Sequence, residues 1–304
     1  MTSTRRTGLL LALTTACISG VAVFLNGYGV RAFGDATAYT TAKNLVAALV
    51  LVGIVAAGGA GARLTRPTGR REWVGLGLVA VVGGSVPFVL FFEGLARASS
   101  SQSAVIHKTL LVWVALLAVP LLHEKLTAWH GLAFLLLVVA QVGLVGGVPS
   151  GMATGEVMIL AATLLWSVEV VLAKRLLSGL SSWTLGVARM AGGSVVLVAW
   201  SATQGHLAGL GAVDAAGWGW VLLTGLILAG YVATWFGALA RAQAVDVTAV
   251  LVLAVPITAV LAAVVDGTAL RPQALWLLMV VAGAGLVSRQ VWTRPTLPAV
   301  VPAT

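Results

Sequence analysis

The chain has 304 residues and a formal net charge of +9; 60% of its residues are hydrophobic and only 9% are charged. Ordinary globular proteins carry roughly 25% charged residues, so this chain has too few to clothe a water-soluble core, which excludes a soluble enzyme, a disordered chain and a secreted disulfide scaffold. The lone Cys17 permits no internal disulfide, and no Cys/His cluster has metal-ligand spacing.

A bilayer core about 30 Å thick takes about 20 apolar residues per helix. In the first half, segments of that length run from Gly8 to Leu25, Tyr39 to Ala57, Trp73 to Phe92, Ser103 to Leu122 and Thr127 to Gly146. In the second half they run from Thr154 to Ala173, Trp183 to Thr203, Gly217 to Ala240, Asp246 to Val265 and Pro272 to Ser288. The links are short and carry turn residues, as in Gly58-Gly59-Ala60-Gly61 and Asp266-Gly267, so consecutive helices should run antiparallel with no room for an extramembrane domain. Residues 291–304, with Pro295, Pro298 and Pro302, read as a disordered cytoplasmic tail. Arg5-Arg6 ahead of the run from Gly8 also has the shape of a cleaved signal peptide, but the repeat described below needs that helix retained.

Orientation follows from Lys and Arg in the short loops. Twelve of the eighteen lie on the side that holds both ends, among them Arg5, Arg6, Arg63, Arg66, Arg70 and Arg71. Arg31, Arg97 and Arg271 lie opposite, and Lys43, Lys108 and Arg189 fall inside spans. Both termini are therefore expected in the cytoplasm, with the chain in the plasma membrane. The positive charge serves topology and contact with anionic lipid heads, and no basic stripe with interleaved aromatics points to nucleic acid.

An offset of 144 residues lays Phe92-Glu93-Gly94-Leu95-Ala96-Arg97-Ala98 over Phe236-Gly237-Ala238-Leu239-Ala240-Arg241-Ala242, with five of seven positions identical. The recurrence of an arginine, expensive in a membrane, argues for duplication. The first copy closes span three on the outside and the second closes span eight on the inside, so the halves should have opposite topology. Inverted repeats of this kind are a recurrent design of secondary transporters, whose two facings arise when the halves exchange conformations.

With these features the chain resembles the drug/metabolite transporter superfamily, EamA type. The resemblance is carried by ten spans in two five-helix halves, by Gly94-Leu95-Ala96-Arg97-Ala98, by Pro256 in span nine and by Glu124-Lys125-Leu126 after span four. The chain departs from the pattern in span four, where His107-Lys108-Thr109 stands without a mid-helix proline, and at Asp266-Gly267, where a Gly-Glu pair is the family's habit. The resemblance implies export or exchange of a small metabolite, amino-acid-like or drug-like, without ATP hydrolysis. The expected fold is an all-α integral membrane protein of ten transmembrane helices in two inverted five-helix repeats, residues 1–150 and 151–290.

An ionisable side chain at mid-bilayer costs about 2.5 to 3.5 kcal/mol on insertion scales, so each one needs a partner, a watery cavity or a route to the interface. Glu93 has Arg97 at i+4, and either a local ion pair explains it or it contacts a substrate. Lys43 has no acid at helical spacing and lies about a turn inside span two, where it can snorkel to the interface or contact a substrate. Lys108 also has no partner on its own helix, and with His107 beside it can face a central cavity and meet an anionic or zwitterionic solute. Glu169 and Arg189 fall at similar depth, so they are expected either to pair between helices or to serve function, with Glu169 as a proton-coupled switch. Trp113, Trp166, Tyr231 and Trp235 can stack on a solute or simply pack.

No Ser/His/Asp arrangement, HExxH or Walker-type loop is present, so no enzyme, metal or cofactor is expected. The reading is a secondary-active transporter working by alternating access, with a small-molecule substrate, the lipid bilayer and protons as its partners. A flippase for lipid or lipid-linked head groups is the alternative within the same superfamily.

Overall fold

The computed structural model describes residues 2–95, 97–98, 106–146 and 151–293. The first half contains α1 (Thr2–Phe33), α2 (Ala36–Ala56), α3 (Arg70–Val82), α4 (Val86–Leu95), α5 (Leu110–Leu122) and α6 (Ala128–Val145). The second contains α7 (Thr154–Leu176), α8 (Ser182–Val187), α9 (Gly193–Thr203), α10 (Ala215–Arg241), α11 (Ala244–Leu251), α12 (Ala254–Asp266) and α13 (Ala274–Thr293). No strand occurs among the described residues. Among the described residues eight helical segments are long and apolar enough to cross a membrane, and two shorter apolar ones cover Ile106–Leu122 and Ala128–Leu144. Large apolar side chains stand exposed on their outer faces, as at Leu49, Val195, Val264 and Leu278, which is the surface a multi-pass membrane protein offers to lipid.

Helix ends follow local chemistry. Asp35 caps α2 by accepting the Ala38 N–H at 2.9 Å, Ser181 caps α8 through Thr184 N–H, and Asp214 caps α10 through Gly217 N–H at 2.7 Å. The first helix is far longer than the apolar run Gly8 to Leu25, because the polar residues before and after that run continue the backbone ladder. The C-terminal helix likewise runs through residues 291–293, and the remainder of the expected tail lies outside the described residues.

The 144-residue offset reappears in the backbone. Helix α5 begins at Leu110 after a break at Thr109, and α12 begins at Ala254 after a break at Val252-Leu253. Both helices end in a left-handed residue, His123 (φ 54°) and Gly267 (φ 70°), whose N–H groups return to the carbonyls of Ala118 and Ala262. All four of these positions are 144 apart. Glycine adopts that conformation freely, whereas His123 is the one non-glycine residue with positive φ among the described residues. Span four breaks without the proline that sits at position 256 in span nine. There the Thr109 hydroxyl donates to Ile106 O at 2.6 Å and receives the Trp113 indole N–H at 2.9 Å, so a side chain takes up what the ladder gives up.

Helices of one half pack on helices of the other. The long α1 lies along α10, α6 along α13, and α4 against α7. At the end from which α1 starts, a polar cluster ties the halves together. Asp246, fully buried, accepts from Arg5 Nη2 at 2.7 Å and from His130 Nε2 at 3.1 Å. The Thr127 N–H reaches His130 Nδ1 at 3.0 Å, which makes Nδ1 the acceptor and leaves the proton on Nε2 for Asp246. Glu124 accepts the Ala244 and Val245 N–H groups at the start of α11, at 2.6 and 3.0 Å, where the helix dipole favours an anion. Lys174 donates to the carbonyls of Leu239 and Ala242. The opposite end is fastened differently: Asp35 accepts from the His206 ring at 2.7 Å, Tyr28 bonds Asp266, and Tyr28 stacks on Trp220.

Two outcomes follow for purified protein in thermal unfolding. Asp246→Asn should lose about 1 to 3 kcal/mol, the worth of a buried charge-assisted bond, whereas Glu93→Gln should stay within about 0.5 kcal/mol because the Glu93 to Arg97 pair is a surface i,i+4 contact; equal shifts would contradict the weight given to the cluster. Burial pushes the Asp35 carboxyl up, but the Ala38 N–H and then the His206 ring outweigh it and hold it below the ordinary carboxylate value. Its stabilisation is therefore complete above that ordinary value and is lost as pH falls past the lowered one, a loss that Asp35→Ala should abolish along with about 0.5 to 2 kcal/mol of capping.

Candidate functional site

Where spans three and seven meet, two glycine pairs bring backbones into direct contact. The helix of span three is interrupted at Gly83-Gly84-Ser85, and span seven carries a π-helical turn, Ala188–Gly192, followed by Gly193. A Cβ on Gly84 would lie 2.1 Å from the carbonyl oxygen of Arg189, and a Cβ on Gly193 would lie 2.5 Å from that of Gly84. Neither backbone can yield, so only glycine permits this approach. A Cβ on Gly83 would strike the Glu169 side chain at 2.4 Å, which leaves the carboxylate of span six lodged in the gap.

The approach sets up an ion pair. Arg189 Nε stands 3.1 Å from Glu169 Oε1, with the two side chains 6% and 2% exposed. The contact is ionic without hydrogen-bond alignment, and Arg189 Nη1 is also buried without a hydrogen-bond partner among the described residues. The expected Glu169 to Arg189 pair is therefore present. The Arg189 guanidinium also sits 5.7 Å above the Phe88 ring. The interrupted helix leaves Gly83 O free of its ladder, and the Trp166 indole N–H donates to it at 3.1 Å.

This pair forms one wall of a cavity of about 220 Å³ between the halves. Lys43, His107, Lys108, Trp166, Tyr231 and Trp235 line it too, so eight of the ten side chains singled out from sequence converge on one space. Lys43 corrects the snorkelling reading. Its side chain is buried and turned inward, because α2 packs along α10, and its ammonium donates to Asn26 Oδ1 at 2.9 Å between the rings of Tyr39 and Phe92. Tyr39 also donates to Asn26 Oδ1, at 3.1 Å, which holds the amide in place. Lys108 has no hydrogen bond or ion pair with any described residue, and it enters the cavity from the turn just before the Thr109 break. The His107 ring packs against Phe91 and Trp166, at 5.1 and 5.2 Å between centroids, with Nδ1 buried and unpartnered. Tyr231 and Trp235 are stacked 6.0 Å apart on the far wall.

Two expected residues are elsewhere. Trp113 is committed to Thr109, holding the helix break, and does not reach the cavity. Glu93 lies with Arg97 at a separate depression near the C-terminal end of α4, bonded by Arg97 Nη1 at 2.5 Å and by the Thr37 hydroxyl at 3.2 Å. Sequence reasoning passed over Asn26, Phe88, Phe91 and Phe92, all of which line the cavity. Asn26 follows the last residue counted in span one, and a polar amide so placed was the available signal. The phenylalanines carry none, since Phe in a membrane helix is ordinary.

A model of the EamA-like transporter family matches the chain over residues 6–146 and 153–289. A solved crystal structure is similar in fold, with a TM-score of 0.68 at 17% identity over 92% of this chain and 97% of its own. No curated protein matches the chain by sequence.

Replacing Gly84 by Ala should destabilise the purified protein by about 1 to 3 kcal/mol through overpacking against Arg189 O, read as a lowered melting temperature. An unchanged melting temperature would mean that the two backbones can separate without loss.

Proposed function

This chain belongs to the EamA-like transporter family, a family of membrane transporters, and from that premise we propose that it is a secondary-active carrier of a small metabolite. The eight long spans and two shorter apolar helices form ten crossings, arranged as two five-helix repeats of opposite orientation, residues 1–150 and 151–290. Both termini lie in the cytoplasm and the protein resides in the plasma membrane. It exports or exchanges an amino-acid-like or drug-like solute by alternating access, driven by protons rather than by ATP.

The observation that carries this reading is the cavity at the seam, lined by charged and aromatic side chains from both repeats. A site shared between repeats is reshaped whenever the halves move, which is what alternating access requires. Lys108 and His107 meet the solute, and the four rings of Trp166, Phe91, Tyr231 and Trp235 supply its apolar walls. Glu169 takes the coupling proton: once neutral it no longer holds Arg189, so the contact between spans six and seven loosens with the proton load.

The test is counterflow into proteoliposomes. Saturable, gradient-driven uptake of a labelled water-soluble solute is expected, reduced about tenfold or more in Lys108→Ala. Glu169→Gln should make the remaining flux insensitive to collapse of the pH gradient. Passage of labelled lipid head groups between leaflets, with no solute flux, would favour the flippase instead.

A further inference from the structure

The charges of the cavity do not balance, and the imbalance points to the charge of what binds there. Among the described residues three cations line it, Lys43, Lys108 and Arg189, against a single acid, Glu169. The acid is already matched by Arg189 at 3.1 Å. That leaves two lysines. Lys43 is held by a neutral amide oxygen, and Lys108 has no polar partner among the described residues.

A cation without a counter-ion is costly where it is buried, as Lys43 is, or half-buried, as Lys108 is, unless something negative arrives. A cationic solute would add to the excess. The ammonium of a zwitterion needs a carboxylate, a free carbonyl or an open ring face. The one cavity carboxylate among the described residues lies against Arg189 through Oε1, and the Gly83 carbonyl receives Trp166. Of the rings that line the cavity, Phe92 is engaged by Lys43 and Phe88 by Arg189, which leaves Phe91, Trp166, Tyr231 and Trp235 to meet an apolar body. The space itself is small. At about 220 Å³ it falls below the roughly 300 to 1,000 Å³ of pockets that hold drug-sized ligands, so it fits one ring and a short chain rather than a fused multi-ring drug.

We propose that the transported solute is a small organic carboxylate of net negative charge with an apolar body about the size of one ring, its carboxylate set between Lys43 and Lys108 and its body against Phe91, Trp166 and Tyr231. This rests on the carrier reading above and narrows it, turning the amino-acid-like or drug-like solute into an anion that lacks an ammonium group.

Three probes of one size separate the charge classes: phenylacetate, phenylalanine and 2-phenylethylamine, each tested by thermal shift on the full chain in detergent and by counterflow in proteoliposomes. Phenylacetate should stabilise the protein and exchange saturably, and the other two should bind at least about tenfold more weakly. Lys43→Met and Lys108→Met should each weaken phenylacetate about tenfold or more, with monodisperse elution and a wild-type melting temperature as the fold control. If either variant misfolds, Lys108→Arg, which keeps the charge, should retain phenylacetate binding. Saturable exchange of the amine or of phenylalanine at a rate equal to phenylacetate would overturn the anion assignment while leaving the carrier reading intact, as would phenylacetate binding that survives both lysine substitutions. Absence of exchange for all three probes, together with lipid head-group passage, would overturn both.

Discussion

The arrangement of this protein depends on a carboxylate and a guanidinium sealed together inside an apolar bundle. Neither Glu169 nor Arg189 could be sheltered there alone, since removing one partner of a buried ion pair typically costs about 3 to 5 kcal/mol. The pair forms because Gly83, Gly84 and Gly193 give up side chains and let two helix backbones touch. Close approach carries a consequence for the ladder: span three is interrupted and span seven bulges into a π turn. The freed Gly83 carbonyl then becomes the anchor of Trp166, which in turn positions His107 and Phe91. A small steric concession thereby propagates through five side chains, Glu169, Arg189, Trp166, His107 and Phe91, to shape the central space.

Frame and chemistry obey different rules in the two repeats. The frame is duplicated closely: helices 110–122 and 254–266 start and stop at equivalent positions, and each ends in a left-handed turn. The cavity charges are not duplicated. Lys108 corresponds to Val252, and Arg189 corresponds to Leu45. Backbone geometry is fixed by helix length and turn closure, which both halves must satisfy, whereas the cavity charges come singly, Lys43 and Lys108 from one half and Glu169 and Arg189 from the other.

Much of this was legible in the sequence because hydropathy, length and turn residues report directly on spans. The repeat was visible at Phe92 to Ala98, and the Glu169 to Arg189 partnership followed from equal depth. What could not be read was direction. A lone lysine a turn inside a helix can reach outward to lipid heads or inward to an amide, and Lys43 goes inward because of the helix it packs against, which lies about 180 residues away in the chain. Trp113 looks like any membrane tryptophan until its indole is seen bonded to Thr109. The cluster of Arg5, Glu124, His130 and Asp246 was invisible for the same reason: its members are spread from residue 5 to residue 246 and sit at the ends of segments, where polar residues raise no alarm.

The two ends of the bundle are fastened by unlike materials. One end is knotted by a buried carboxylate with two donors, a glutamate capping a foreign helix and a lysine gripping two carbonyls. The other relies on a tyrosine, a stacked tryptophan and a half-exposed aspartate. A bundle fastened by ionic cord at one end and by aromatic clasps at the other should part more readily where the clasps are, so separation of the halves is expected to begin beside Tyr28 and Trp220.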